Sequence, residues 1–414
     1  MFSARVRWNQ PTNRLSRALQ ARRAAGAHIL DLTESNPTRA GIVYDQAEIA
    51  AALSRPGLML YEPAPRGLPV AREAVAGYYR ERGLTVSPDD LLLASGTSEA
   101  YGYLCKLLAN PGDELLVPAP GYPILEILTP LEGVRLAHYR LLYDTAAASP
   151  PGTRVRVPRG RGTAAHWRID LERLRNSISR STRAIVVVSP NNPTGSFLKG
   201  DELAEIGAIC RQFDCALIVD EVFTDYSHGN DPRRVASAAA ADSGVLTFVL
   251  NGLSKVVGLP QLKLSWIHVG GPPDLRREAM ERLELVSDAF LSVGAPVQHA
   301  AAKLLAMRAG IQDQILGRLE ENARALLPAL SGGPCTVRER EGGWYAVVEM
   351  PDTIPDEELV LQLLEQDDVL AHPGYFYDFP AGSFLVLSLL TPPEVFAEGA
   401  RRLAARARRL AAGR

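Results

Sequence analysis

Four groups of polar residues in this chain stand where a short apolar run ends, and together they supply an anion cup, an amide, a carboxylate and an amine. Ser95-Gly96-Thr97-Ser98-Glu99 follows the run 91–94 and opens a helical pattern. A glycine turn that opens a helix presents free backbone N–H groups, which suit a phosphate. Asn191-Asn192-Pro193-Thr194-Gly195 follows the run 184–189, and Asp220-Glu221 closes the run that begins at 216. An aspartate at the end of an apolar strand is partly desolvated and needs a positive or donor partner. Gly252-Leu253-Ser254-Lys255 follows the run 245–250, with Lys263 eight residues on. Lysine is scarce here: of 45 basic residues only five are lysines (106, 199, 255, 263 and 303), so two of the five fall in one segment. A lysine at a strand end is ordinarily a surface residue, and Asp220 alone reads equally well as a structural cap.

Such residues need a frame that brings strand ends together. The runs 91–94, 114–117, 134–141, 184–189, 216–220, 245–250 and 266–269 are short, rich in branched residues and separated by helical patterns. Several are apolar almost throughout, as strands covered by helices on both faces are. The expected class is α/β: a mostly parallel sheet flanked by helices, whose ligands bind beyond the carboxyl ends of the strands. After about residue 290 the pattern changes to helices at 298–307 and 311–330, a strand pair at 344–349 and 384–389, and a closing helix from Pro393, which reads as a smaller α+β domain. The domain division expected is 46–290 for the larger part, with 1–45 and 291–414 forming the smaller. Residues 145–167, rich in Ala, Pro, Gly and Arg, read as an exposed insertion, and a surface helix is expected over 13–25.

The whole-chain numbers exclude several function classes. At 414 residues and a net charge of −2 the chain has no sequence-wide cationic field for nucleic acid. Its longest uncharged stretches are about fourteen or fifteen residues and contain prolines, short of the ~18 that span a bilayer. Four cysteines without a CxxC pair argue against a disulfide scaffold or a zinc ribbon, and the expected location is the cytoplasm. Six arginines precede Asp31, a bias shared by the whole chain that makes a weak targeting signal. No GxGxxG follows a strand, no HExxH occurs, and no metal site is expected. Ser196-Phe197-Leu198-Lys199 matches SxxK without its usual companion motifs.

An amine, a carboxylate, an amide and a phosphate cup suit a cofactor with an aldehyde, a ring nitrogen, a phenolic oxygen and a phosphate, the groups of pyridoxal 5'-phosphate. At this point the sequence resembles the pyridoxal-phosphate-dependent aminotransferases of class I/II, fold type I. The resemblance runs through Glu34-Ser-Asn-Pro37, Tyr61-Glu-Pro-Ala-Pro-Arg-Gly67, Ala109-Asn-Pro-Gly-Asp-Glu114, Pro118-Ala-Pro-Gly-Tyr-Pro123, Asn191-Asn-Pro-Thr-Gly195, Asp220-Glu221 and Ser254-Lys255. It implies a Schiff-base lysine at Lys255, a partner for the pyridinium nitrogen at Asp220, a donor to the phenolic oxygen at Asn192 and a ring-stacking Tyr122. Gly96, Thr97, Ser98 and Lys263 would hold the phosphate, with Ser254 and Phe223 beside the cofactor. Tyr61 would reach the phosphate of the neighbouring subunit, which requires a homodimer with shared active sites. The implied partners are an amino acid or amine and a 2-oxo acid.

Four positions depart from that family. Phe223 stands where a tyrosine usually bonds the phenolic oxygen, Lys263 where an arginine clamps the phosphate, and Gly252 where a serine adds a phosphate bond. Val386 stands where the closing strand usually carries the arginine that grips the substrate α-carboxylate. Arg39 and Arg66 are the candidates to replace it, with Arg39 preferred, and Tyr375 and Tyr377 are expected to line the substrate pocket. The leading expectation is a ping-pong transaminase. A lyase, a decarboxylase or a carbon–carbon bond-forming enzyme on the same cofactor is the alternative, and a cofactor-sensing regulatory module is disfavoured because few residues precede Asp31.

Overall fold

Side-chain alternation along fully covered strands organises the larger part of the chain in the computed structural model, which describes residues 2–3, 5–6, 13–54, 58–144 and 165–412. In the run Thr182–Val188, Ala184 and Val186 join one apolar core, while Ile185 and Val187 join another on the opposite face. Ala216–Asp220 repeats the division, with Ile218 on the first face and Leu217 and Val219 on the second. Residues two apart share a face of a strand, so a sheet built this way must be covered by helices on both sides.

In chain order the strands are β1 Leu30–Asp31, β2 Leu91–Ala94, β3 Glu114–Ala119, β4 Arg135–Asp144, β5 His166–Ile169, β6 Thr182–Val188, β7 Ala216–Asp220, β8 Thr247–Gly252, β9 Ser265–Gly270, β10 Thr336–Val337, β11 Tyr345–Met350, β12 Val369–Leu370, β13 His372–Pro373 and β14 Ser383–Ser388. Eight of them form one sheet in the order β2-β9-β8-β7-β6-β3-β4-β5. The β8-β7-β6-β3-β4 centre is parallel, whereas β9 and β5 pair antiparallel with their neighbours. The expected α/β class with a mostly parallel sheet is therefore the class observed. A four-stranded antiparallel sheet, β10-β11-β14-β13, forms the core of the smaller α+β part.

That smaller part rests on two helices. In Arg308–Leu330 the buried residues Ile311, Ile315, Leu319, Asn322, Leu326 and Leu330 recur every three or four positions, so one stripe faces the core. Asn322, fully buried on that stripe, donates through Nδ2 to the carbonyls of Leu389 and Thr391 at 2.8 and 2.7 Å, tying the helix to the chain just beyond β14. The closing helix Pro393–Ala412 buries Phe396, Ala400, Leu403 and Ala407 against the same core. Near the amino terminus the expected surface helix spans Arg14–Ala24; Asn13 caps it by accepting from the Ser16 N–H, and Gly26 at φ 74° follows its end.

One expectation needs correcting. Most of the insertion read at 145–167 lies outside the described residues, but its last two positions belong to β5, which pairs antiparallel with β4. Trp167 is buried there, edge-on to Tyr143 at 5.0 Å and to Phe379 at 6.2 Å, and Ile169 follows it into the same core. Two apolar side chains on one face outweigh the polar composition before them. Among the described residues no helix is long and apolar enough to cross a membrane.

Candidate active site

The carboxyl ends of β3, β6, β7 and β8 open on a cavity of about 320 Å³, walled by Pro118, Val188, Asp220 and Gly252 from those strands. Asp220 lies on the face of β7 that carries Ile218, and the helix Thr97–Leu108 packs over that face. From this helix the Tyr101 hydroxyl donates to Asp220 Oδ2 at 3.0 Å, while the Val222 N–H donates to Oδ1 at 3.1 Å. Burial nevertheless pushes the carboxyl up to about 6, with the two hydrogen bonds and the Lys255 charge opposing it. A group that lacks a full positive partner in a buried site is poised to take one.

Lys255 sits on the single helical turn Leu253–Val256 that follows β8. Its ammonium faces aromatic surface: Nζ lies 4.6 Å from the Trp344 ring centre and 5.4 Å from that of Phe223. Burial pushes its pKa down to about 8 against the attraction of Asp220, so neutral amine is accessible near physiological pH. The backbone around it is fixed by hydroxyl and amide donors: Tyr226 Oη to the Lys255 carbonyl at 2.6 Å, Gln312 Nε2 to that of Val256 at 2.8 Å, and Tyr44 Oη to that of Gly258 at 2.7 Å.

Thr97 and Ser98 line the cavity at the start of their helix, where Gly96 occupies the cap position and no side chain caps the turn. Unsatisfied N–H groups at such a start attract an anion. Asn192 also lines the cavity; it is 7% exposed and its Oδ1 has no hydrogen-bond partner. Tyr122, Phe223 and Ser254 complete the set of expected residues that share this space. Among the wall residues that went unnoticed in the sequence are Tyr101, Ser265 and Tyr345. Tyr101 stands one helical turn past Thr97, so the helical period from the glycine turn is the one signal that points to it. Ser265 is recoverable only from pairing, because β9 returns antiparallel beside β8 and sets it opposite Gly252.

Other expected residues are not brought to this cavity. Lys263 is exposed in a left-handed conformation, φ 51°, after the turn Pro260–Leu262. Tyr61 is 76% exposed and lines a separate pocket with Tyr103 and Ser292. Arg66 is engaged by Glu284, Nε to Oε2 at 2.7 Å, and Tyr375 packs edge-on to Phe376 with its N–H donated to Asp356. Val386 is fully buried in the apolar core, opposite Val347 and His372. Arg39 lines a second, shallower opening that also reaches Lys255, and its Nε stands 3.5 Å from Glu34 Oε2.

Residues 27–403 match the family described as aminotransferase class I and II. The chain belongs to that family. Its members use pyridoxal phosphate, and this protein is a transaminase by family. The chain is 30% identical to glutamate-pyruvate aminotransferase AlaA of Escherichia coli K12 over 325 residues, 76% of this chain and 74% of the relative. It is 29% identical to an alanine aminotransferase of Mycobacterium bovis over 380 residues, 89% and 82% of the two. Among solved structures, an aminotransferase from Escherichia coli superposes with a TM-score of 0.81 at 25% identity, covering 98% of this chain and 97% of that one. The alanine aminotransferase of Pyrococcus furiosus does so at 0.83 and 23%, covering 98% and 99%, a likeness of fold. The expected fold type I architecture and cofactor are thus those of its relatives.

The cavity fits the cofactor on its own evidence: an uncapped helix start and an under-neutralised carboxylate line one space. The glycine at 252 has a spatial reason as well. A Cβ there would stand 2.8 Å from Ser265 Cβ and 3.0 Å from the Leu264 carbonyl, so β9 occupies the room a serine needs. Gly252→Ser is accordingly expected to lower stability by about 1–3 kcal/mol, the usual cost of overpacking, and to weaken cofactor retention. Urea unfolding and timed dialysis check both; tighter retention in the serine variant contradicts the crowding.

Proposed function

We propose that the protein moves an amino group from an amino acid or amine to a 2-oxo acid in two half-reactions, with Lys255 as the residue that joins the cofactor and handles the proton. The observation that carries this reading is Lys255 itself, an amine with its pKa pushed down to about 8 in a cavity shared with Asp220. When bound, pyridoxal phosphate supplies an electron sink that makes a proton on the substrate α-carbon removable. Asp220 would hold the ring nitrogen protonated, Asn192 would donate to the phenolic oxygen, Tyr122 would cover a ring face, and Thr97 and Ser98 would take the phosphate at the helix start. Freed from the cofactor, the Lys255 amine accepts the proton and returns it one position along, acting as base and then acid. Trp344 and Phe223 present ring faces to the amine, which keeps bulk water from it. Tyr61 belongs to the partner's site in a homodimer; it stands beside Met59 and Leu60, exposed apolar residues that a second subunit would cover. Arg39, exposed at the second opening, contacts the substrate carboxylate.

The reading is tested by incubating the holoprotein with amines and amino acids and following both cofactor absorbance and product. The amino group is expected on the cofactor, and an oxo acid is expected to restore the starting spectrum. Keto product or CO₂ released from an unchanged cofactor would instead favour the lyase or decarboxylase reading. Lys255→Ala is expected to slow the half-reaction by about 10²–10⁴-fold, the range of a lost acid–base group. Arg39→Ala is expected to raise the KM of α-amino acids about two- to fivefold, as an exposed ion pair contributes; an unchanged KM places the carboxylate contact elsewhere. Because the neutral amine is the attacking species, cofactor capture by the cofactor-free protein accelerates as pH rises and levels above about 8. A stopped-flow series across that range checks it, and a rate still climbing tenfold per pH unit above 9 contradicts the lowered value.

A further inference from the structure

Three side chains from separate elements, none of them assigned to the cofactor, meet in the wall of the same cavity. Glu126 comes from the helix Ile124–Leu131 that follows Tyr122, His138 from β4, and Asp378 from the left-handed residue that closes the turn Gly374–Tyr377. His138 Nε2 lies 3.1 Å from Glu126 Oε1 and 4.0 Å from Asp378 Oδ2. The Gly121 N–H donates to the Tyr377 carbonyl at 2.9 Å, which ties the segment of Tyr122 and Glu126 to that of Asp378. One imidazole neutralises at most one of two carboxylates, so this part of the wall carries net negative charge at either protonation state of His138.

A second observation shows that the space is built to be filled. Asn192, more than nine-tenths buried, lines the same cavity, and its amide oxygen has no hydrogen-bond partner. Among the described residues of the wall, Lys255 is the only lysine and arginine is absent, and Asp220 adds a third carboxylate. An anionic side chain entering here meets two carboxylates; a cationic one is attracted by both.

We propose that Glu126 and Asp378 select an amino donor with a second, cationic group at its far end, a diamine or a basic amino acid. This rests on the transaminase reading and names its substrate class. The two carboxylates hold the distal ammonium while the proximal amine meets the cofactor, and His138 holds Glu126 toward the cavity.

The test compares matched donors that differ only in the distal charge: L-ornithine with L-norvaline, and 1,4-diaminobutane with 1-aminobutane, with L-alanine and L-glutamate alongside. The absorbance of the bound cofactor during titration reports binding whatever chemistry follows, and product analysis reports transamination separately. The cationic member of each pair is expected to bind and turn over about tenfold better, from the severalfold that each half-exposed ion pair contributes. In the Glu126→Gln/Asp378→Asn double variant that ratio is expected to fall to about one to two. Equal or better use of L-norvaline or L-glutamate by the wild type, or an unchanged ratio in the double variant, overturns the substrate class and leaves transamination standing. Selective binding without amino transfer overturns the transaminase reading and keeps the cationic selectivity. A ratio abolished by EDTA assigns the cluster to a metal ion and overturns the proposal.

Discussion

The site depends on keeping a carboxylate charged at the end of a fully covered strand. Asp220 closes β7 at the centre of the parallel sheet, where water is scarce and the charged form is penalised. Tyr101 and the Val222 N–H return part of that cost and fix both carboxylate oxygens, but they are neutral donors. A positive partner restores the charge fully, and a protonated ring nitrogen is such a partner. The same burial acts with opposite sign on Lys255, favouring the uncharged amine. Burial at one cavity therefore leaves Asp220 in want of a positive partner and favours the neutral amine of Lys255, as the proposed function requires.

Holding the lysine still is the work of the surrounding chain. The turn Leu253–Val256 is too short to be rigid alone. Its carbonyls, and that of Gly258 beyond it, are gripped by three donors far apart in sequence: Tyr44, Tyr226 and Gln312. Gln312 also donates to Asp225, which accepts from Tyr78 and stands 3.5 Å from Arg82. The long helix Arg308–Leu330 thus reaches under the catalytic turn and links the smaller part of the molecule to the lysine.

Much of this was legible in the sequence because strand ends and strand faces follow a period of two. The runs at 91–94 and 216–220 became strands of those bounds, and Lys255, Asp220, Asn192, Thr97, Ser98 and Tyr122 converge on one cavity. What stayed hidden depends on pairing between distant segments. Ser265 enters the wall because β9 runs antiparallel beside β8, a register no local pattern reveals. Trp167 was lost inside a polar, proline-rich stretch, although its burial against Tyr143 and Phe379 makes it a strand residue. The Glu126, His138 and Asp378 cluster joins segments up to 252 residues apart (378 − 126), each unremarkable alone.

Three of the four departures expected from the resemblance have physical grounds in the structure. Gly252 is forced by Ser265, a matter of space. Phe223 packs edge-on to Trp344 at 5.3 Å and Tyr345 at 6.3 Å, so that side of Lys255 is aromatic. At Val386 an arginine would bring a charge into an apolar core formed by β11, β13 and β14. Under the proposed substrate class, the carboxylates of Glu126 and Asp378 set the charge that a substrate's far end meets in the cavity. On the proposed reading the groups that serve the chemistry and those that select the substrate are separate sets of residues in one cavity.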